Sequence, residues 1–109
     1  MVDIDAKALR AMLDVGEPII LLDVLSDIAY GEGHIPNAIN IPFAELEERV
    51  EEVVRNKDHV IIVYSASSKD STSSDAVKLL KFLGYTHVKE LVGGIEGWID
   101  AGYKLERAD

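Results

Sequence analysis

The stretch from Val60 to Ala76 constrains the fold most. Val60-Ile61-Ile62-Val63-Tyr64 is apolar at every position. A strand with one wet face alternates in polarity, whereas a strand apolar at both parities must be covered on both faces, as in a parallel sheet between layers of helices. The run breaks into Ser65-Ala66-Ser67-Ser68-Lys69-Asp70-Ser71-Thr72-Ser73-Ser74. Ala76, Val77, Leu79, Leu80 and Leu83 then fall at helical spacing, and Gly84 is the stop signal. Thr72 with Asp75 three residues on, or Ser73 alone, is the expected helix cap. A loop joining the carboxyl end of a buried parallel strand to a helix start presents unpaired N–H groups, and the helix dipole adds to them. Such a loop favours an anion or a thiolate.

The remaining segments alternate in the same way. Ala8, Leu9, Met12 and Leu13 mark a short amphipathic helix from Asp5, its expected N-cap, with Gly16 and Pro18 beyond its end. Ile19 to Val24 is a second continuous apolar run carrying a carboxylate, Asp23, near its end. Asp27 to Glu32 suits a turn of helix, and Ala38-Ile39-Asn40-Ile41 a short strand. Phe43, Leu46, Val50, Val53 and Val54 lie on one face of a helix expected to run to about Arg55, with Glu45, Glu47, Glu48, Glu51 and Glu52 on its solvated face. His87 to Val92 reads as a last strand near an edge, and Gly93-Gly94 turns into a short helix carrying Ile95, Trp98 and Ile99. Trp98 is read as core. The expected architecture is a single α/β domain over residues 1–109, three-layered, with a mainly parallel sheet of about five short strands and helices on both faces.

Charge and residue usage narrow the function. With 20 acidic and 11 basic residues the formal charge is −9, which repels phosphate, so neither nucleic acid nor an anionic membrane is an expected partner. No apolar run approaches a membrane span, and Met1-Val2-Asp3-Ile4-Asp5 lacks the pattern of a signal peptide, so a cytoplasmic location is expected; the chain is also expected to be a monomer. There is no cysteine, which excludes disulfides, thiolate metal sites and thiol catalysis in this chain. No histidines and carboxylates have ligand spacing, and the glycines make no phosphate-binding fingerprint, so no metal and no cofactor are expected.

Four segments stand in a telling order: Leu21-Leu22-Asp23-Val24; Tyr30 to Pro42, containing Gly33-His34-Ile35-Pro36; Val60 to Ser65; and Leu91-Val92-Gly93-Gly94-Ile95-Glu96-Gly97-Trp98 with Ala101-Gly102-Tyr103. In this order and spacing the chain resembles the rhodanese homology domain over nearly its whole length. The resemblance implies a sulfurtransferase. In that family a cysteine directly after the central strand takes sulfane sulfur from thiosulfate or a related donor as a persulfide and passes it to a thiophile. Loop N–H groups and the following helix lower the thiol's pKa. The implied partners are a small anionic sulfur donor or a persulfide carrier protein.

Two departures bear on activity. Ser65 stands at the cysteine position, and a serine hydroxyl cannot hold a transferable sulfur, so the chain is expected to be inactive as it stands. The loop, Ala66, Ser67, Ser68, Lys69, Asp70, Ser71 and Thr72, is also wider than the family's common form. Its one cation is Lys69, and Thr72 falls where the family's anion-binding arginine would stand. Asp23 and His34 are assigned supporting roles. His34 is the one histidine whose topology suits a base for Ser65, and its structural role at the turn is the simpler reading. The alternatives are a naturally non-catalytic module that binds a protein or an anion, and a re-engineered scaffold.

Overall fold

A computed structural model describes residues 3–108, so Met1 and Val2, part of the leader reading, lie outside it. Four strands, β1 (Ile20–Asp23), β2 (Ile39–Asn40), β3 (Ile61–Tyr64) and β4 (Val88–Glu90), form one parallel sheet in the order β2-β1-β3-β4. The sheet has four strands where about five were expected; beyond them, Ile4 makes a single parallel bridge with Leu91 on the outer edge of β4. The reason is local. Asp5 caps α1 (Ala6–Val15), its Oδ1 accepting from the Ala8 N–H at 2.8 Å, so the chain turns helical two residues after the bridge.

The uniform apolar character of β3 has the predicted consequence, because all four of its residues are buried. Ile61 and Val63 face one core with Leu46 and Val50 of α3 (Leu46–Val53) and Ala76, Val77 and Leu80 of α4 (Thr72–Phe82). Ile62 and Tyr64 face the other, with Ala6 and Leu9 of α1 and Trp98 of α5 (Gly94–Asp100). This period of two makes the sheet the middle of three layers. Trp98 is fully buried, and its indole N–H donates to the Lys104 carbonyl at 2.9 Å, as a core tryptophan should. A short helix, α2 (Asp27–Glu32), is capped by Ser26. No helix among the described residues is long and apolar enough to cross a membrane.

Two boundaries differ from expectation. The helix expected to reach Arg55 begins as a 3-10 turn, Phe43–Glu45, directly after Pro42, and ends at Val53. Val54 turns extended, and its carbonyl is taken by the buried Tyr85 hydroxyl at 2.6 Å, a tertiary bond that replaces further helix. The start of α4 also differs. Neither Thr72 with Asp75 nor Ser73 caps it in the expected way. Asp70 Oδ1 accepts from the Thr72 N–H at 3.0 Å, and Ser71 at the cap position makes no side-chain cap bond.

Candidate functional site

Sheet order puts the carboxyl ends of β3 and β4 side by side, with Val63 opposite Glu90. Alternation directs Val88, and therefore Glu90, toward α4, and Ser65, two residues after Val63, takes the same side. Three hydroxyl and carboxylate groups meet there. Ser65 Oγ donates to Ser73 Oγ at 3.0 Å, and Ser73 Oγ donates to Glu90 Oε2 at 2.6 Å. The Ser73 N–H, in the first turn of α4, points at Ser65 Oγ at 3.3 Å. Ser65 is fully buried and Ser73 nearly so. A buried hydroxyl needs partners for donor and acceptor, and this one has both.

The loop is tied down by its own side chains. The Asp70 carboxylate accepts from the Ala66 N–H at 3.2 Å, the Thr72 N–H at 3.0 Å and the Thr72 hydroxyl at 2.6 Å. The Thr72 hydroxyl bond, followed by the two backbone bonds, holds its pKa below the ordinary carboxylate value against a smaller opposing effect of burial. Ser67 uses its carbonyl for the Asp70 N–H and its hydroxyl for the Lys69 N–H. Ala66, Ser68, Lys69 and Ser71 are exposed. From the other side, the first N–H groups of α5 reach the loop's carbonyls: Ile95 donates to Ser65 and Glu96 to Ala66, each at 3.0 Å.

Asp23 and His34 sit in the framework. Asp23 is buried; its Oδ2 accepts from the Tyr64 hydroxyl at 2.6 Å and its Oδ1 from the Leu25 N–H at 2.9 Å. Burial raises the Asp23 pKa despite these bonds, and it also pushes the Tyr64 phenol well above its ordinary value, helped by the nearby Asp23 charge. The Tyr64 oxygen in turn accepts from the Ile35 N–H at 3.1 Å. The His34 ring stacks on Tyr30 with centroids 3.8 Å apart, its Nδ1 bonds the Tyr30 carbonyl at 2.8 Å, and its backbone pairs with Glu106. Neither Asp23 nor His34 is among the hydrogen-bond partners of Ser65, so no Ser65–His34 dyad is assembled. Tyr64→Phe should cost about 2 kcal/mol in urea unfolding, because it orphans both the Ile35 N–H and Asp23 Oδ2. A loss under about 0.5 kcal/mol would show those groups finding other partners.

Sequence reasoning missed Glu90 and Ser73 as site residues and the capping role of Asp70. An Asp two residues before a helix start is a capping signal in its own right. Nothing local to Glu90 reveals its partner, which lies 17 residues away. No group of three or more His, Asp or Glu among the described residues is placed to hold a metal ion.

The rhodanese-like domain family matches residues 5–101. The chain belongs to the rhodanese-like family. Thiosulfate sulfurtransferase PspE of Escherichia coli is 36% identical over 75 residues, covering 69% of each chain. HTH-type transcriptional regulator Rv0324 of Mycobacterium tuberculosis is 37% identical over 93 residues, 85% of this chain but 39% of its own length. This chain therefore spans well under half of that regulator. Among solved structures, the Alr3790 protein from Anabaena superposes with a TM-score of 0.88 at 37% identity, covering 96% of this chain and 80% of that one. Ser65 directly follows β3, one of the two inner strands of the sheet.

Proposed function

We propose that this is a sulfurtransferase domain lacking its sulfur carrier, with Ser65 at the position of the family's persulfide-forming cysteine. The chain as it stands then transfers no sulfur. The observation that carries the reading is the Ser73 N–H directed at the residue 65 side chain from the first turn of α4. A backbone donor and a helix N-terminus aimed at one atom stabilise negative charge there, which is what a thiolate nucleophile needs. In this reading residue 65 carries the sulfur, Ala66 to Thr72 shape the donor's approach, and Asp23 and His34 hold the two chain segments that flank the site. The donor is a thiosulfate-like molecule or a persulfide on a carrier. The test is Ser65→Cys, with sulfur uptake followed by intact mass.

A second reading has an observation of its own. Ser65 is buried with its hydroxyl both donating and accepting, which suits a native structural serine in a non-catalytic module. A thiol is a weak donor, so on this reading Ser65→Cys loses about 1 kcal/mol of stability and takes up no sulfur.

A further inference from the structure

The loop after Ser65 holds a carboxylate among its own N–H groups. Asp70 accepts two backbone N–H bonds and one hydroxyl bond, from Ala66 and Thr72, on the segment that joins residue 65 to α4. Those are the kinds of donor that would hold the oxygens of a bound oxyanion. The surrounding charges act in the same direction. Asp75 and Glu96 are exposed in the first turns of α4 and α5, Glu90 lies behind Ser73, and Lys69 is the loop's one cation.

We infer that Asp70 sets donor specificity at this site: its carboxylate occupies the oxyanion position, so the loop discriminates against thiosulfate-like dianions and in favour of alkyl persulfides. The inference rests on the sulfurtransferase reading. With a cysteine at position 65, the thiolate attacks the outer sulfur of the donor and a new S–S bond forms as the donor's S–S bond breaks. The electron pair leaves on sulfite when the donor is thiosulfate, and on the alkyl thiolate when the donor is a persulfide. Thiosulfate brings sulfonate oxygens to the place Asp70 fills and must displace it against like charge. An alkyl persulfide presents its outer sulfur without such a group.

The experiment compares Ser65→Cys with Ser65→Cys/Asp70→Asn, measuring the rate of sulfur loading from thiosulfate and from 2-hydroxyethyl persulfide, which carries no carboxylate or sulfonate. Asparagine keeps the size and one acceptor oxygen but removes the charge. The thiosulfate-to-persulfide rate ratio is expected to rise about tenfold in the Asn variant. A loop that is merely damaged slows both donors together, and an unmoved ratio overturns the inference. If Ser65→Cys loads from neither donor, the sulfurtransferase reading fails. Asp70 is then judged in the Ser65 chain by sulfate titration of the amide resonances of residues 66–73. Binding in Asp70→Asn that is absent with Asp70 supports the internal-anion role; equal binding, or none in either, overturns it.

Discussion

Ser65→Cys is expected to convert a chain that takes up no sulfur into one that gains the mass of one sulfur atom on incubation with a persulfide donor, and releases it to cyanide. The largest change in activity rests on one atom. The oxygen at position 65 already receives the Ser73 N–H, at the start of an eleven-residue helix. A sulfur there meets the same donor and the same end of the helix dipole, and its thiolate is favoured over the thiol. Burial opposes this, since Ser65 is fully enclosed and desolvation disfavours charge, and so does the Glu90 carboxylate bonded to Ser73. A charge-assisted N–H bond outweighs a neutral one about twofold, so the thiol pKa should lie below the free value of about 8.5. Alkylation rate against pH measures it. A pKa at or above 8.5, with no mass gain from either donor, rejects the sulfurtransferase reading. Because residue 65 is enclosed, loading also requires the Ala66–Thr72 segment to open, so uptake should be slower than alkylation of a small unfolded thiol.

Gly94→Ala is expected to cost about 3 kcal/mol in urea unfolding, the largest stability loss from a single methyl in this chain. Gly94 has φ +57°, where an L side chain is strained by about 1–2 kcal/mol. A Cβ there would also overlap the Ser65 carbonyl oxygen and lie 3.0 Å from the Ala66 carbonyl carbon. Both obstacles are backbone, so neither can swing aside, and overpacking of this kind adds about 1–3 kcal/mol. The same contact carries the Ile95 and Glu96 N–H bonds to the loop, so moving it displaces residue 65 from Ser73. Gly84→Ala is the control. Its φ is +99° with nothing within 4 Å of an added Cβ, so it keeps the strain and lacks the clash. Equal losses at Gly84 and Gly94 would show that the close approach contributes nothing. In the Ser65→Cys background, Gly94→Ala should slow sulfur loading as well, whereas Gly84→Ala should not.

Legibility in the sequence followed the range of the interactions. The cap at Asp5, the left-handed Gly16 after α1 and the two apolar runs that became β1 and β3 depend on neighbours within a turn or on face-by-face polarity, and each is visible in a short window. The Asp70 cap was also local, yet a serine-rich stretch offers several competing caps. The Thr72 and Ser73 hydroxyls stand nearest the apolar helical pattern, whereas the carboxylate of Asp70 is the stronger acceptor. The strand count, four against an expected five or so, differs for another reason. Ile4 pairs like a strand residue, but Asp5 commits the chain to helix before a second rung can form.

By itself, then, the sequence determined the layered α/β class, the family signatures around Gly33-His34-Ile35-Pro36 and Gly93-Gly94, and the absence of cysteine, with Ser65 directly after the central apolar run. These follow from residue type at fixed spacing. Only the tertiary structure decided what surrounds that position. Tyr64 meets Asp23 across 41 residues and Ser73 meets Glu90 across 17, because β1, β3 and β4 stack in parallel with their carboxyl ends together. It also turned Asp70 inward. Sequence spacing shows where N–H groups are available, but which acceptor reaches them depends on the path of the loop, and that path is held by α5 through the backbone of Ser65 and Ala66.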